Sequence, residues 1–284
     1  MRQVSLLDGR LSASRVGFGT SALHHAWRAA GRAALLHRCL DRGITYFDTA
    51  PLYGHGLAER ELGRLGFGRR RELTLATKFG IPPDPLASRV PLLRYPTLAF
   101  GAAVVRVRRG AMIARARDFR AAAMRASLDR SLRNLRAEHV SILFLHDPWP
   151  DDPGIGDELL VELERARAAG KVGAFGVSGH PAACLAIAQR YAPLGELLQA
   201  DAGCDAAASD RLRDAGLPPH ITFGHLRAAL AGESGAERSA TVRRQLARAV
   251  RDNPQGVVLF STRRTDCIDD TVARIEALDQ VAVA

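Results

Sequence analysis

Short runs of apolar, β-branched and aromatic residues recur along the chain, each ending in polar residues and followed by a longer stretch with apolar positions at helical spacing. Strands are predicted at 15–19, 44–48, 73–78, 141–146, 172–177, 196–200, 220–224 and 256–261. Helices are predicted near 28–41, 57–65, 118–136, 156–168, 181–191, 208–214, 238–251 and 266–278. Asp118, ahead of Phe119-Arg120-Ala121, reads as a helix N-cap, and Gly170 as a helix stop before the fifth strand. Residues 2–13 predict a hairpin turning at Asp8-Gly9. Eight alternating units predict an α/β protein, a parallel (β/α)8 TIM barrel, because that fold takes about 250 residues. We expect one domain over 1–284, with the hairpin capping the N-terminal mouth. A doubly wound sheet would need a glycine-rich phosphate loop after the first strand. Gly17-Phe18-Gly19-Thr20-Ser21 has two glycines and no third at the required spacing.

One region departs from the alternation. Residues 81–117 separate the third strand from its helix and are too long for an ordinary connection. Two readings apply, an irregular surface excursion or a lid over the barrel mouth, and its place after a strand's C-terminal end favours the lid.

The strand exits carry the candidate chemistry. Gly43-Ile44-Thr45-Tyr46-Phe47 runs into Asp48 and, past Pro51, into Tyr53. The next run ends at Lys78, and Ser141-Ile142-Leu143-Phe144-Leu145 ends at His146. A tyrosine with its ordinary pKa of about 10 is a poor acid near neutrality and needs a cation beside it. Lys78 is a pointed choice, because of 40 lysines and arginines only Lys78 and Lys171 are lysine. Ammonium is a compact charge whose pKa shifts readily, where guanidinium stays charged and demands room. Taken one at a time, a surface or salt-bridged lysine and a satisfied core histidine would explain each residue without chemistry. His24, His25 and His180 read as solvated or capping groups, and for His55, two residues past Tyr53, a reach to the mouth is the lesser of two readings.

Composition narrows the classes. With 47% hydrophobic residues the chain can bury a full core. Cys39, Cys184, Cys204 and Cys267 are widely spaced, with no Cys-x-x-Cys and no paired histidine motif, which argues against zinc or a disulfide framework and suits a reducing cytoplasm. No signal peptide or membrane span is expected. The net charge of +10 is spread over many predicted helix faces, so no nucleic-acid partner is expected, although an anionic small molecule would gain from the field. Oligomeric state is open.

Asp48-Thr49-Ala50-Pro51-Leu52-Tyr53-Gly54, Ala76-Thr77-Lys78 and Leu143-Phe144-Leu145-His146 resemble, in order and spacing, three active-site motifs of the aldo-keto reductase superfamily. The resemblance runs over nearly the whole chain and implies a barrel binding NADP, with NAD the alternative, and acting on a carbonyl or alcohol substrate. It implies a catalytic set of Asp48, Tyr53, Lys78 and His146, with Tyr53 and His146 also facing substrate. It implies that Ser178 and Gln199 hold the nicotinamide carboxamide, that Phe223 or else His225 stacks under the ring, and that Thr20 and Asp48 belong to the cofactor wall. Ser261, Thr262, Arg263, Arg264 and Thr271 fall where the family grips the adenosine end, with the arginine pair suited to a 2′-phosphate. Three departures stand out: Gly179 replaces the asparagine that usually follows the serine, Cys267 an arginine or glutamine, and Thr271 an asparagine. With no long C-terminal loop after the last helix, substrate specificity is assigned to 81–117 and Trp149. An NAD(P)H-binding sensor barrel with little turnover is the rival reading, and a metal-dependent hydrolase is more remote because His146 and Asp48 lack further ligands at metal spacing.

Overall fold

The computed structural model describes residues 1–85, 88, 117–227 and 235–283. The 81–117 lid reading therefore falls almost wholly outside the described residues. Strands β1 (Gln3–Leu6) and β2 (Leu11–Ser14) form an antiparallel hairpin, and eight further strands close into a parallel barrel. These are β3 (Val16–Gly19), β4 (Tyr46–Asp48), β5 (Thr74–Phe79), β6 (Val140–His146), β7 (Val172–Gly179), β8 (Leu198–Asp201), β9 (Ile221–Phe223) and β10 (Val257–Phe260). They run in sequence order, and β10 pairs with β3 to shut the ring. Each corresponds to a run of apolar residues in the sequence, because barrel strands are covered on both faces and need no polar alternation. The helices that follow them are α1 (Ala29–Asp41), α2 (Leu57–Arg64), α3 (Ala121–Leu135), α4 (Asp157–Ala168), α5 (Pro181–Arg190), the short α6 (Ala192–Gly195), α7 (Ala206–Asp214), α8 (Gly235–Asp252) and α9 (Thr265–Val283).

Two apolar layers result. The outer one packs helices on the sheet, with Phe47 edge-on to Phe67 at 4.8 Å and to Phe18 at 6.4 Å between centroids. The inner one fills the barrel from below, where Val4, Leu6, Leu7 and Ala13 of the hairpin join Tyr46, Ile142, Phe144 and Val257. Thr74 Oγ1 donates to the Ser12 carbonyl at 2.7 Å, and the Thr45 and Ser14 amides each bond the other's hydroxyl, so the hairpin is stitched to the strands' N-terminal ends. It plugs the mouth opposite the candidate chemistry. Gly17 makes room for the Tyr46 ring inside, since a Cβ there would lie 2.7 Å from Tyr46 Cδ1.

One local expectation is corrected. The N-cap of α3 is Arg120, not Asp118, and no side chain caps the helix. Asp118 instead accepts from the Arg120 amide and guanidinium two residues on, a local loop geometry that aspartate offers as readily as a cap. Gly170, at φ +71, follows the end of α4 as expected. Among the described residues no helix is long and apolar enough to cross a membrane.

Candidate active site

Asp48 is the last residue of β4, and the chain then turns through Thr49 to Gly56 into α2. Three consecutive left-handed residues, Gly54, His55 and Gly56, reverse its direction, and the Tyr53 amide donates to the Ala50 carbonyl at 3.0 Å. That fold-back brings the Tyr53 hydroxyl to Lys78. From β5, Lys78 Nζ donates to both Asp48 oxygens at 2.6 Å, to the Thr49 carbonyl at 3.1 Å and to Tyr53 Oη at 3.2 Å. Both charged side chains are almost fully enclosed, at 2% and 3% exposure. An ion pair this deep holds only when its remaining hydrogen-bonding capacity is met. Gln199 Nε2 meets it by donating to Asp48 Oδ1 at 3.0 Å, while Gln199 Oε1 accepts from Tyr46 at 3.3 Å. The result is a continuous chain from Tyr46 through Gln199, Asp48 and Lys78 to Tyr53. By contrast Lys171, the other lysine, is half-exposed and pairs with Asp129 at the surface.

Burial disfavours charge on Lys78, but Asp48 and then Tyr53 outweigh it, so its pKa is raised and the ammonium persists. For Tyr53 the balance differs from the sequence expectation. Lys78 pulls the phenol down, yet burial is the larger effect and Asp48 adds to it, so the pKa is pushed up to about 12. Tyr53 is therefore a protonated phenol at neutral pH. His146, at the end of β6, sets its ring edge-on to Tyr53 with centroids 5.7 Å apart.

These groups form the floor of a cleft of about 540 Å³ at the C-terminal mouth. Of the expected residues, Asp48, Tyr53, Lys78, His146, Ser178, Gln199, Phe223 and Ser261 line it, as does His225. Burial holds His225 down at a pKa of about 4, so the cleft wall presents a neutral imidazole, bonded to Thr222 Oγ1 at 3.0 Å. Other expected residues are placed elsewhere. Thr20 is fully buried and outside the cleft lining, and its hydroxyl donates to the Asp48 carbonyl at 3.0 Å, which fixes the strand exit. Trp149 is 46% exposed and stacked on His180, outside the cleft lining. Thr262, Arg263, Arg264 and Thr271 do not line the cleft either; Thr271 is buried in α9, and Arg264 is bonded to Asp266 at 2.9 Å. His55 is buried and accepts from the Asp84 amide at 3.1 Å.

Three charged lining residues, Asp147, Asp201 and Arg227, were not singled out in the sequence. Asp147 follows His146, and Asp201 ends β8, where it accepts from Arg227 at 2.9 Å. The sequence signal of the two aspartates is position at a strand exit, and Arg227, in the loop after β9, has none. Among the described residues no group of three His, Cys, Asp or Glu side chains is placed to hold a metal ion.

A closed parallel barrel with a lysine-backed phenol at the strands' C-terminal ends defines a TIM-barrel protein with its site on the face that such barrels use for chemistry. The sequence model of the Aldo/keto reductase family matches residues 15–199, and the chain belongs to that family. A D-threo-aldose 1-dehydrogenase from a Pseudomonas species is 31% identical over 195 residues, covering 67% of this chain and 57% of the relative. An NADP(+) aldo-keto reductase from Schizosaccharomyces pombe is 27% identical over 169 residues, covering 57% and 42% respectively. The chain spans about half the length of the curated relatives it matches. An aldo-keto reductase from Bacillus halodurans superposes with a TM-score of 0.73 at 19% identity, over 97% of this chain and 91% of that one, a likeness of fold.

Proposed function

We propose that the protein is an NAD(P)H-dependent oxidoreductase that interconverts the carbonyl of an aldehyde, ketone or sugar lactol with its alcohol, with NADP preferred over NAD. The observation that carries this reading is the Lys78 ammonium 3.2 Å from the Tyr53 hydroxyl and 2.6 Å from Asp48, opening on a cleft. The volume of about 540 Å³ lies within the usual range for small-molecule sites, roughly 300–1,000 Å³. Ser178 and Gln199, each 1% exposed, bring a hydroxyl and an amide to its wall, a donor and acceptor set that suits a nicotinamide carboxamide. The aldose and NADP(+) in two relatives' names favour the same substrate class and cofactor.

A bound reduced nicotinamide supplies the hydride. In reduction, Tyr53 gives its proton to the carbonyl oxygen as negative charge gathers there. With a pKa near 12 in the resting site, the phenol is a donor that holds its proton until that moment. Lys78 then stabilises the phenolate that forms, an interaction stronger after proton transfer than before it and so one that lowers the barrier. Asp48 keeps Lys78 charged and oriented. His146 bonds the substrate oxygen and fixes its direction. In oxidation the same groups run in reverse.

The test is steady-state oxidation of NADPH against a panel of aldehydes, ketones and aldoses. Turnover with at least one class is expected. Tight cofactor binding with no turnover on any of them would replace the reductase by a sensor barrel. The buried ion pair counts against the sensor, since a binding module has no use for a costly enclosed Asp–Lys pair beside a phenol.

A further inference from the structure

We propose that Asp147 positions the nicotinamide carboxamide in this chain, taking the place of a side chain that the adjoining strand lacks at Gly179. The proposal rests on the cofactor reading above. His146 and Ser178 are register partners on β6 and β7, so the next residues, Asp147 and Gly179, stand side by side at the mouth. The Asp147 amide donates to the Ser178 carbonyl at 2.7 Å, which locks it beside the serine assigned to the carboxamide. A Cβ built on Gly179 would lie 3.1 Å from Asp147 Oδ1 and 3.1 Å from Asp147 Cα. The carboxylate thus lies across the space where a side chain at 179 would begin.

Two further observations support a ligand there. Asp147 has φ +46, the left-handed region that a side-chain-bearing residue enters at a cost and that clusters at functional sites. Asp147 is an exposed residue of the cleft lining, and among the described residues Lys78, Asp201, Arg117 and Arg227 act on its carboxylate through charge.

Donor and acceptor balance completes the argument. A carboxamide offers one acceptor oxygen and two N–H donors. Gln199 has its Oε1 engaged by Tyr46 and one N–H given to Asp48, so what it has to offer is chiefly its second N–H, suited to the carboxamide oxygen. The carboxamide N–H2 has two hydrogens to place; the Ser178 hydroxyl accepts one, and the other needs a second acceptor. An amide side chain at 179 would have provided one; Asp147 is the carboxylate next to that position, and a charged acceptor makes the stronger bond.

The experiment measures Kd by fluorescence for NADP+ and for its 3-acetylpyridine analogue, in which a methyl group replaces the carboxamide NH2. No substrate is present, so turnover plays no part. Wild type is expected to favour NADP+ by roughly 10-fold or more, the loss of one charge-assisted hydrogen bond. Asp147→Gly, which accepts the left-handed backbone readily, is expected to bring the two Kd values within about 2-fold of each other. Asp147→Asn, which keeps an acceptor oxygen at the same place and also tolerates the left-handed backbone, should keep a preference between those of wild type and Asp147→Gly. Thermal melting establishes that each variant is folded. Equal weakening of both ligands in Asp147→Gly, with the preference retained, would overturn the proposal and leave Asp147 a structural residue. Wild type binding both equally would also overturn it. Wild type binding neither NADP+ nor, in a control titration, NAD+ would remove the cofactor reading itself, a distinguishable result.

Discussion

Two cations are buried at opposite ends of this barrel, and their partners divide their roles. Arg15, just before β3 and fully enclosed, directs its guanidinium to the carbonyls of Asn253 at 2.7 Å, Val250 at 3.2 Å and Gly256, and to Asp279 at 3.3 Å. Those acceptors lie at the end of α8, in the loop before β10 and on α9, so one side chain ties the closing strand to the opening one. Every partner is protein. Lys78 is equally buried, but one of its partners, Tyr53, opens on a cleft. A cation whose donors all end on the fold contributes stability; a cation that shares a proton-bearing group with solvent space is placed to change that group's acidity.

The largest separation of the two should come from Lys78→Met. Turnover should fall about 10²- to 10⁴-fold, the usual worth of assisted proton transfer. Stability should fall as well, because Asp48 is left buried without its cation, and Asp48→Asn/Lys78→Met should recover the melting temperature with none of the activity. Steady-state rates and thermal melts on both variants check this. Arg15→Met should do the converse. Stranding three carbonyls and weakening the hold on Asp279 should lower stability by about 3 kcal/mol, or roughly 6–12 °C in Tm, with kcat within about 2-fold of wild type.

A smaller effect concerns acid. Burial lowers His225 from 6.5 to about 4, and His24 likewise. Because the folded pKa lies below the unfolded one, the unfolded chain takes up protons first as pH falls. Stability is thus intact above about pH 6.5 and declines toward pH 4. His225→Gln keeps a partner for Thr222 and should remove on the order of 1–2 kcal/mol of that decline, read from urea midpoints at pH 7 and 4.5. The smallest effect is expected for Arg264→Ala. Its ion pair with Asp266 is exposed, so Tm should stay within about 2 °C, and an unchanged preference for NADPH over NADH would show that Arg264 does not read the phosphate.

What was legible in the sequence followed from local pattern. Eight apolar runs became eight strands because both faces of each are covered, and Asp48, Lys78 and His146 could be placed at a common mouth because each follows such a run. What was not legible depends on closure. The Asp118 cap failed because aspartate serves a loop as well as a helix start. Thr20 turns to the Asp48 carbonyl and Gln199 to Asp48 and Tyr46, contacts 28, 151 and 153 residues apart in sequence that only the closed ring creates. Likewise a lysine at Tyr53 suggested a lowered phenol pKa, but the depth that raises it is a property of the assembled site. Nothing at Asp147 in the sequence announces its left-handed backbone.

The most direct measurement is the kcat of Tyr53→Phe beside its Kd for NADPH, on protein shown to be folded. A loss of about 10²-fold or more in kcat with Kd within about 2-fold of wild type is expected if the phenol hydroxyl carries the proton and Lys78 serves it. A variant retaining more than half the wild-type turnover would contradict that role for Tyr53 and for the buried cation behind it.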